Sequence, residues 1–518
     1  MNIDINAEFQ SILDQLHKTT EHLFITGRAG TGKSTLLQYF RGTTCKKMIV
    51  LAPTGVAALN VQGQTIHSFF GFAPQVTPEQ AKKEHPAKSL KRIIEELEMI
   101  VIDEASMLRA DLLDAIDQAL RKYGHRKVPF GGKRLIFIGD LYQLPPVVTK
   151  DERDHFQHEY ASPYFFDAKV FRECQIKTVE LEKIYRQQDE GFIRLLNQIR
   201  DNSITQEGLE SLNGRYDRFY QAFQKPNEVT LCTTNAAADR INQAQLDLLG
   251  GKKLKYSGET TGDFIRQLPT HDQLELKIGA QVMLVNNDAA RRWVNGSTGI
   301  ITGTEWSAAE KCDLLLVKLS HGKTVEVLPY TWETNQYSYD EEADTIEVEK
   351  IGAFTQYPLK LAWAVTIHKS QGKTFDNVVL DIAKGTFAHG QIYVALSRCT
   401  SLEGLILRQA LLPEHIWSDQ RINYFLQGRN EGQTYRRMTV PEKKEILQKC
   451  IDYENSITMT YTTGNGQTFQ KNIRPTWIGE MEYQGVEYLA VETQDMETGE
   501  NRAYSVNRIV TLCDTNSQ

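Results

Sequence analysis

The sequence predicts an α/β protein built on parallel sheets, and three observations predict it. Short runs that are apolar on both faces alternate with helical segments. Each such run in the first 200 residues ends in a polar or glycine-rich turn. One of those turns, after the run at 22–26, reads Gly-Arg-Ala-Gly-Thr-Gly-Lys-Ser over positions 27–34. Doubly apolar strands suit a parallel sheet covered by helices on both sides. Ligands of such sheets sit beyond the carboxyl ends of the strands, so the four strand ends should converge on one site.

The first strand, HLFIT (22–26), leads into the glycine-rich turn and then a helix from Ser34. Glycines let the backbone curl so that successive N–H groups point inward and cradle phosphates. Gly27, Ala29, Gly30, Thr31, Gly32, Lys33, Ser34 and Thr35 are therefore candidate nucleotide-binding residues. Lys33 is placed for the outer phosphates and the Ser34 hydroxyl for Mg²⁺, which implies a nucleoside triphosphate such as ATP. The second strand, KMIVLA (47–52), ends at Pro-Thr-Gly, and 71–90, with prolines and charges, reads as a projecting loop or hairpin. The third, EMIVIDEA (98–105), delivers Asp103 as a metal-holding carboxylate and Glu104 as the group that orients and deprotonates an attacking water. The fourth, RLIFIGD (134–140), is followed by Gln143, which either senses a γ-phosphate or stabilises its own loop, with two prolines stiffening the exit.

A second alternating unit begins near Val229 and resumes with LKLAWAV (359–365), NVVLDIA (377–383), a helix QIYVALSR (391–398) and GLILR (404–408). Between its parts, about 275–350 is rich in β and turn signals and reads as a small β domain inserted in the second α/β domain. The expected organisation is 1–200, 201–410, a polar linker at 411–440, and a β-rich domain at 441–518. Composition excludes several classes. Hydrophobic residues make up 41% and charged ones 24%, ordinary for a globular protein. No run of about 18 apolar residues exists to cross a membrane. Seven scattered cysteines without a C-x-x-C pair argue for reduced thiols, and the acidic, polar start MNIDINAEFQ lacks a signal-peptide pattern, so the expected location is the cytoplasm. A net charge of −7 excludes a wholly basic DNA-coating protein but leaves a grooved enzyme open, because only the groove must be positive.

Taken together, GRAGTGKS, APTGVAALNVQGQTIHSFF (52–70), VIDEASML (101–108), GDLYQLPPV (139–147), LEKIYRQQDEGFIRLLNQIR (181–200), AVTIHKSQGKTFDNVVLD (364–381) and YVALSRCTSLEGL (393–405) resemble the superfamily-one DNA helicases, most closely the PIF (petite integration frequency) family. The resemblance spans about 1–410 and implies two RecA-like domains with a small β-barrel inserted in the second. It implies an ATP-dependent helicase moving 5′ to 3′ on single-stranded DNA, a monomer acting on forks and, by family habit, on G-quadruplexes or RNA–DNA hybrids, in repair or telomere maintenance. It assigns Arg186 and Arg398 as arginine fingers, Gln10 as the reader of adenine, and Gly372 as part of the nucleotide site. Thr54, Gly55, Thr65, His67, Thr366, His368, Lys369 and Ser370 become DNA-backbone contacts, and the 71–90 segment a wedge at the duplex junction. Phe69, Phe70 and Phe72 have base-stacking chemistry, although aromatics at that spacing more often pack a core.

The tail resembles a WYL domain, a small β-barrel module, through ITMTY (457–461), Arg474-Pro475, Tyr488-Leu489 and RAYSVNRI (502–509), with Glu487 in place of the eponymous tryptophan. Arg474, Arg502, Tyr504 and Arg508 are its candidate anionic-ligand face. Two rival readings stay open on sequence alone: a RecD-like ATPase subunit of a nuclease complex, and a nucleic-acid sensor that uses the phosphate-cradling domain as a switch.

Overall fold

Successive side chains of a strand point to opposite faces, so an unbroken apolar run buries both, and the central strands of the first sheet are built that way. The structure, a computed structural model, describes residues 5–83, 88–149, 152, 156, 158–187, 189–223, 225, 227–264, 268–340, 345–382, 388–416, 418–430, 438–463, 468–483 and 486–514. The first sheet comprises β1 (His22–Gly27), β2 (Met48–Ala52), β3 (Gln64–Thr65), β4 (Met99–Ile102), β5 (Arg134–Ile138) and β6 (Ile176–Leu181). All pairings are parallel, in the order β3-β2-β4-β5-β1-β6. Leu23, Ile25, Val50, Val101, Ile136 and Ile138 form one core with helices Ala7–Lys18 and Lys33–Thr43. Phe24, Leu51, Ile102 and Phe137 join the opposite core with helix Ala110–Tyr123. Strand β6 was not read from the sequence: only its ends are buried, and Lys177 and Glu180 face solvent, the pattern of an edge strand.

A second, four-stranded parallel sheet runs in the order Ala364–Thr366, Val229–Cys232, Val378–Asp381, Leu405–Leu407. The β structure inserted in it extends from Leu254 to Leu361, wider than the 275–350 expected. Its outer strands Leu254–Ser257 and Glu259–Gly262 are half or fully exposed and pair with distant partners, so they carry no local apolar signal. Its main element is a five-stranded antiparallel sheet around Val282, Ile301, Leu315, Val317 and Leu359. A long hairpin, Tyr330–Asp340 with Thr345–Gln356, reaches the first sheet. There the Val50 N–H donates to the Tyr337 hydroxyl at 3.0 Å, and Lys47 and Arg92 lie over the Tyr339 ring.

Two segments differ from the expectation. The 71–90 stretch is not a hairpin: helices Pro78–Lys83 and Lys88–Glu96 flank 84–87, which lie outside the described residues, and Val76 and Ala81 are buried. The 411–440 stretch is not an irregular linker in its middle. Helix Gln420–Asn430 buries Ile422 and Phe425 at i, i+3 spacing, and Phe425 stacks on Phe166 at 4.2 Å between centroids. Polar residues that face inward, among them Asn423, which accepts from the Tyr142 hydroxyl, masked the helix in the sequence; 431–437 lie outside the described residues. The tail opens with helix Val440–Asp452, capped reciprocally by Thr439 and Glu442. That helix packs on a five-stranded antiparallel sheet, Asn501–Ser505, Val486–Asp495, Thr468–Tyr483, Ile457–Thr462, Ile509–Asp514 in spatial order.

Candidate active site

The glycine-rich turn leaves β1 and enters helix Lys33–Thr43, with Gly30 and Gly32 at φ 85° and 86°, a left-handed backbone that favours glycine. Gly30 is also demanded by space, since a Cβ there would lie 2.5 Å from Arg186 Cβ. The side-chain donors Thr31 and Lys33 are satisfied within the turn. The Lys33 ammonium donates to the carbonyls of Gly27 (2.6 Å) and Arg28 (2.9 Å), and burial lowers its pKa despite the nearby Asp140 and Glu104 carboxylates. The Ala29 N–H donates to the Tyr393 hydroxyl at 3.0 Å. Ser34 and Thr35 are exposed at the helix start.

The strand ends β4 and β5 bring up the carboxylates. Glu104 sits at φ 52°, a strained position for a side chain of its size. Burial, reinforced by their mutual repulsion at Glu104, raises the pKa of Asp103 and Glu104 alike. A buried pair of that kind favours a cation, and with Ser34 supplies oxygen donors of the type Mg²⁺ takes. No group of three His, Cys, Asp or Glu side chains forms a metal site among the described residues, so such an ion would need nucleotide oxygens to complete its shell. Gln143 donates to Asp140 at 3.2 Å and accepts from Gln371, whose amide also donates to Glu104 at 3.0 Å. Asp140 is in turn faced by Arg200, which lies over the Tyr142 ring at 4.3 Å.

Both predicted finger arginines reach this cleft. Arg186 extends from beside Gly30 to the carbonyls of Gly372 (3.2 Å) and Ser397 (3.4 Å). Arg398 is 1% exposed and donates to Val394 O, the Ser397 hydroxyl and Lys373 O. Burial and the charge of Arg186 bring its pKa down to about 9. Gln10 is exposed, and its amide turns to Asp14 on its own helix at 3.0 Å, away from the glycine turn. Its neighbours Phe9 and Tyr185 are the groups that approach Gly32. Sequence reasoning missed as site residues Asp140, Arg200, Gln371, Tyr393 and also Gln187, whose buried amide donates to the Ser397 carbonyl at 3.0 Å beside Arg186. All five stand inside the quoted motifs, but their residue types alone do not say which distant group each will meet.

Among the residues expected at DNA, Thr54 and Thr65 cap short helices through their hydroxyls, with Gly55 opening the first of these. His67 and His368 are half-buried, and burial lowers the pKa of each. Thr366 is buried, and its hydroxyl accepts from the Lys369 N–H at 3.3 Å within the turn, whereas the Lys369 side chain is exposed. Ser370 requires correction as a backbone contact: it is fully buried, and its hydroxyl donates to Ile367 O at 2.7 Å, shaping the turn instead. Phe69, Phe70 and Phe72 are core residues, with Phe70 and Phe72 stacked at 5.1 Å. In the tail, Tyr504 leaves the proposed face for the core, where it packs on Tyr461 at 4.9 Å. Arg502 and Arg508 are exposed, Arg502 pairs with Glu500, and Arg474 is half-buried.

Two parallel sheets facing one cleft, with a phosphate-cradling turn on one side and converging arginines on both, define the class: a P-loop protein of two RecA-like domains. Family models agree along the chain: "PIF1-like helicase" over 1–209, "DNA helicase Pif1, 2B domain" over 265–304 and "UvrD-like helicase C-terminal domain" over 361–405. The chain is 33% identical to the ATP-dependent DNA helicase Pif1 of Bdellovibrio bacteriovorus, over 78% of this chain and 88% of that protein. It is 34% identical to human ATP-dependent DNA helicase PIF1 over 80% of this chain, and spans only 62% of the human protein's length. Bacteroides Pif1 in complex with ADP-AlF4 superposes with a TM-score of 0.76 at 35% identity, covering 83% of this chain and 98% of that one. The chain belongs to the PIF1-like helicase family.

Proposed function

We propose that this protein is an ATP-dependent DNA helicase that moves 5′ to 3′ along single-stranded DNA as a monomer in the cytoplasm. The observation that carries the reading is the closed circuit across the cleft, in which Gln371 of the second domain joins Glu104 to Gln143 while Arg186 reaches the Gly372 carbonyl. Hydrolysis at such a site depends on both domains, so domain closure and chemistry are coupled. ATP phosphates would take the place of the Gly27 and Arg28 carbonyls on Lys33 and draw Arg186 and Arg398 from their backbone acceptors. Glu104 would accept the proton of the attacking water. Mg²⁺, held by Ser34 with Asp103, would neutralise charge on the outer phosphates. One base-pair step costs about 1.4 kcal/mol to open, within reach of a hydrolysis cycle. The names of the relatives, ATP-dependent DNA helicases, support the substrate.

The test is unwinding of forked duplexes with 5′ or 3′ overhangs by the purified chain, with G-quadruplex and RNA–DNA hybrid substrates alongside. Lys33→Ala and Glu104→Gln should abolish DNA-stimulated hydrolysis while single-strand binding survives. Retained hydrolysis in either variant refutes the site, and unwinding only in the presence of a nuclease partner would favour the RecD-like reading. For the tail we propose a WYL-like module with Arg474, Arg502 and Arg508 as its basic groups. Truncation after 430 that leaves DNA and ligand binding untouched would refute a binding role.

A further inference from the structure

Lys360 and Lys373 converge on Met283 beside the exposed Lys369, and among the described residues none of the three makes an ion pair. Lys360 lies on strand Leu359–Leu361 and pairs in register with Met283. Lys373 follows the turn His368–Ser370; its stem packs on Gly296, where a Cβ would lie 3.0 Å from it, and its ammonium rests 3.0 Å from the Met283 sulfur. Lys369 is exposed between them in sequence, and its charge reaches both others. The carboxylate that bears on Lys360 at longer range is Asp239. The turn carrying Gly296 also touches the first domain, since Asn295 donates to Asn60 at 3.0 Å, at the end of the helix that Thr54 and Gly55 begin. The cluster therefore borders the seam between the two domains.

Converging cations with a thioether as neighbour are unfavourable in isolation. Burial and then the charge of Lys369 bring Lys360 down to about 8; burial, then Lys360 and Lys369, bring Lys373 down to about 7. An arrangement that destabilises its own charges becomes favourable when an anion arrives. Resting on the DNA-motor reading above, we propose that Lys360, Lys369 and Lys373 clamp one backbone phosphate of single-stranded DNA, extending the strand's track past the Thr366–Lys369 turn. Phosphate binding would restore full protonation of the clamp, so protons are taken up as DNA binds. The groups facing Lys373 are Lys360 and Lys369. His271, beside Lys360, has its pKa lowered by burial and stays neutral above its ordinary range.

The experiment is fluorescence anisotropy of a labelled oligo-dT of about 12 nucleotides with the full chain, across salt and pH. Loss of one phosphate contact should reduce the slope of log affinity against log salt by about 0.7 in Lys373→Met. In wild type, affinity should be highest below pH 7 and fall as pH rises, by up to about tenfold per unit for each proton taken up. Lys373→Arg, which keeps the charge but does not titrate, should bind like wild type at pH 6.5 and lose much of the decline, and Lys360→Ala should share the reduced salt slope. A wild-type slope in Lys373→Met and Lys360→Ala, or a pH dependence unchanged in Lys373→Arg, overturns the clamp while leaving the motor reading intact. Failure of the wild-type chain to bind the oligonucleotide would refute the motor reading and the clamp with it.

Discussion

Tyr393→Phe separates a residue that binds nucleotide from one that competes with it. The Tyr393 hydroxyl accepts from the Ala29 N–H at 3.0 Å and donates to Asp140 at 3.3 Å, and the residue is 3% exposed. Phenylalanine keeps the ring and removes only the oxygen. Asp140 retains Gln143 and the Tyr142 N–H, so the loss there is small. Ala29 is 7% exposed, and its N–H would be left without an acceptor. A buried donor in that state costs about 1–3 kcal/mol. The cost falls on the nucleotide-free state alone, because a phosphate oxygen in the cradle would accept from the same N–H.

The variant should consequently be less stable without nucleotide and bind it more tightly, by about fivefold at the low end and about 150-fold at the high end. Titration with a fluorescent, slowly hydrolysed ATP analogue in the absence of DNA measures the second quantity directly. Affinity equal to or weaker than wild type would refute the argument, placing the tyrosine oxygen on the nucleotide rather than in its way.

Two further outcomes follow from packing. Phe425→Ala, in a stretch whose composition reads as linker, should cost about 3–5 kcal/mol, because it empties a fully buried position stacked on Phe166; chemical denaturation followed by tryptophan-independent circular dichroism would show an unchanged midpoint if the helix were merely draped on the surface. Tyr337→Phe removes the hydroxyl that joins the inserted hairpin to Val50, so hydrogen exchange at the 330–356 hairpin should accelerate about five- to tenfold, and equal protection would mean the ring alone holds it.

Much of the cleft's arrangement was legible because its determinants are local. Gly30, Lys33, Asp103 and Glu104 each follow a strand that the apolar pattern identifies, and strand ends of a parallel sheet must converge. Arg186 and Arg398 came only from family resemblance, since nothing in the spacing of a lone arginine says that it will be buried against carbonyls across a cleft. The remainder was hidden where a residue's role depends on distant partners. Ser370 and Tyr504 look like exposed donors in one dimension and face inward in three. Strands Leu254–Ser257 and Glu259–Gly262 gain their partners from residues far along the chain, so their own exposed pattern marks nothing.

The segment 369–373 is where the two halves of the proposed function meet. Three consecutive residues touch three different groups of the nucleotide cleft: the Gln371 amide holds Glu104, the Gly372 carbonyl holds Arg186 and the Lys373 carbonyl holds Arg398. The side chains of Lys369 and Lys373 leave the same backbone towards the lysine cluster. Such a division needs the chain to reverse between the two, and Gly372 does so at φ 78°, with open space where a Cβ would stand. Conformation rather than crowding thus requires glycine there, and a larger residue would carry a strain of about 1–3 kcal/mol. A pull on the Lys373 ammonium by a phosphate acts within one residue of the carbonyl that holds Arg398. Under the proposed function, DNA stimulation of hydrolysis requires no long relay, because the strand and the arginine finger share a peptide.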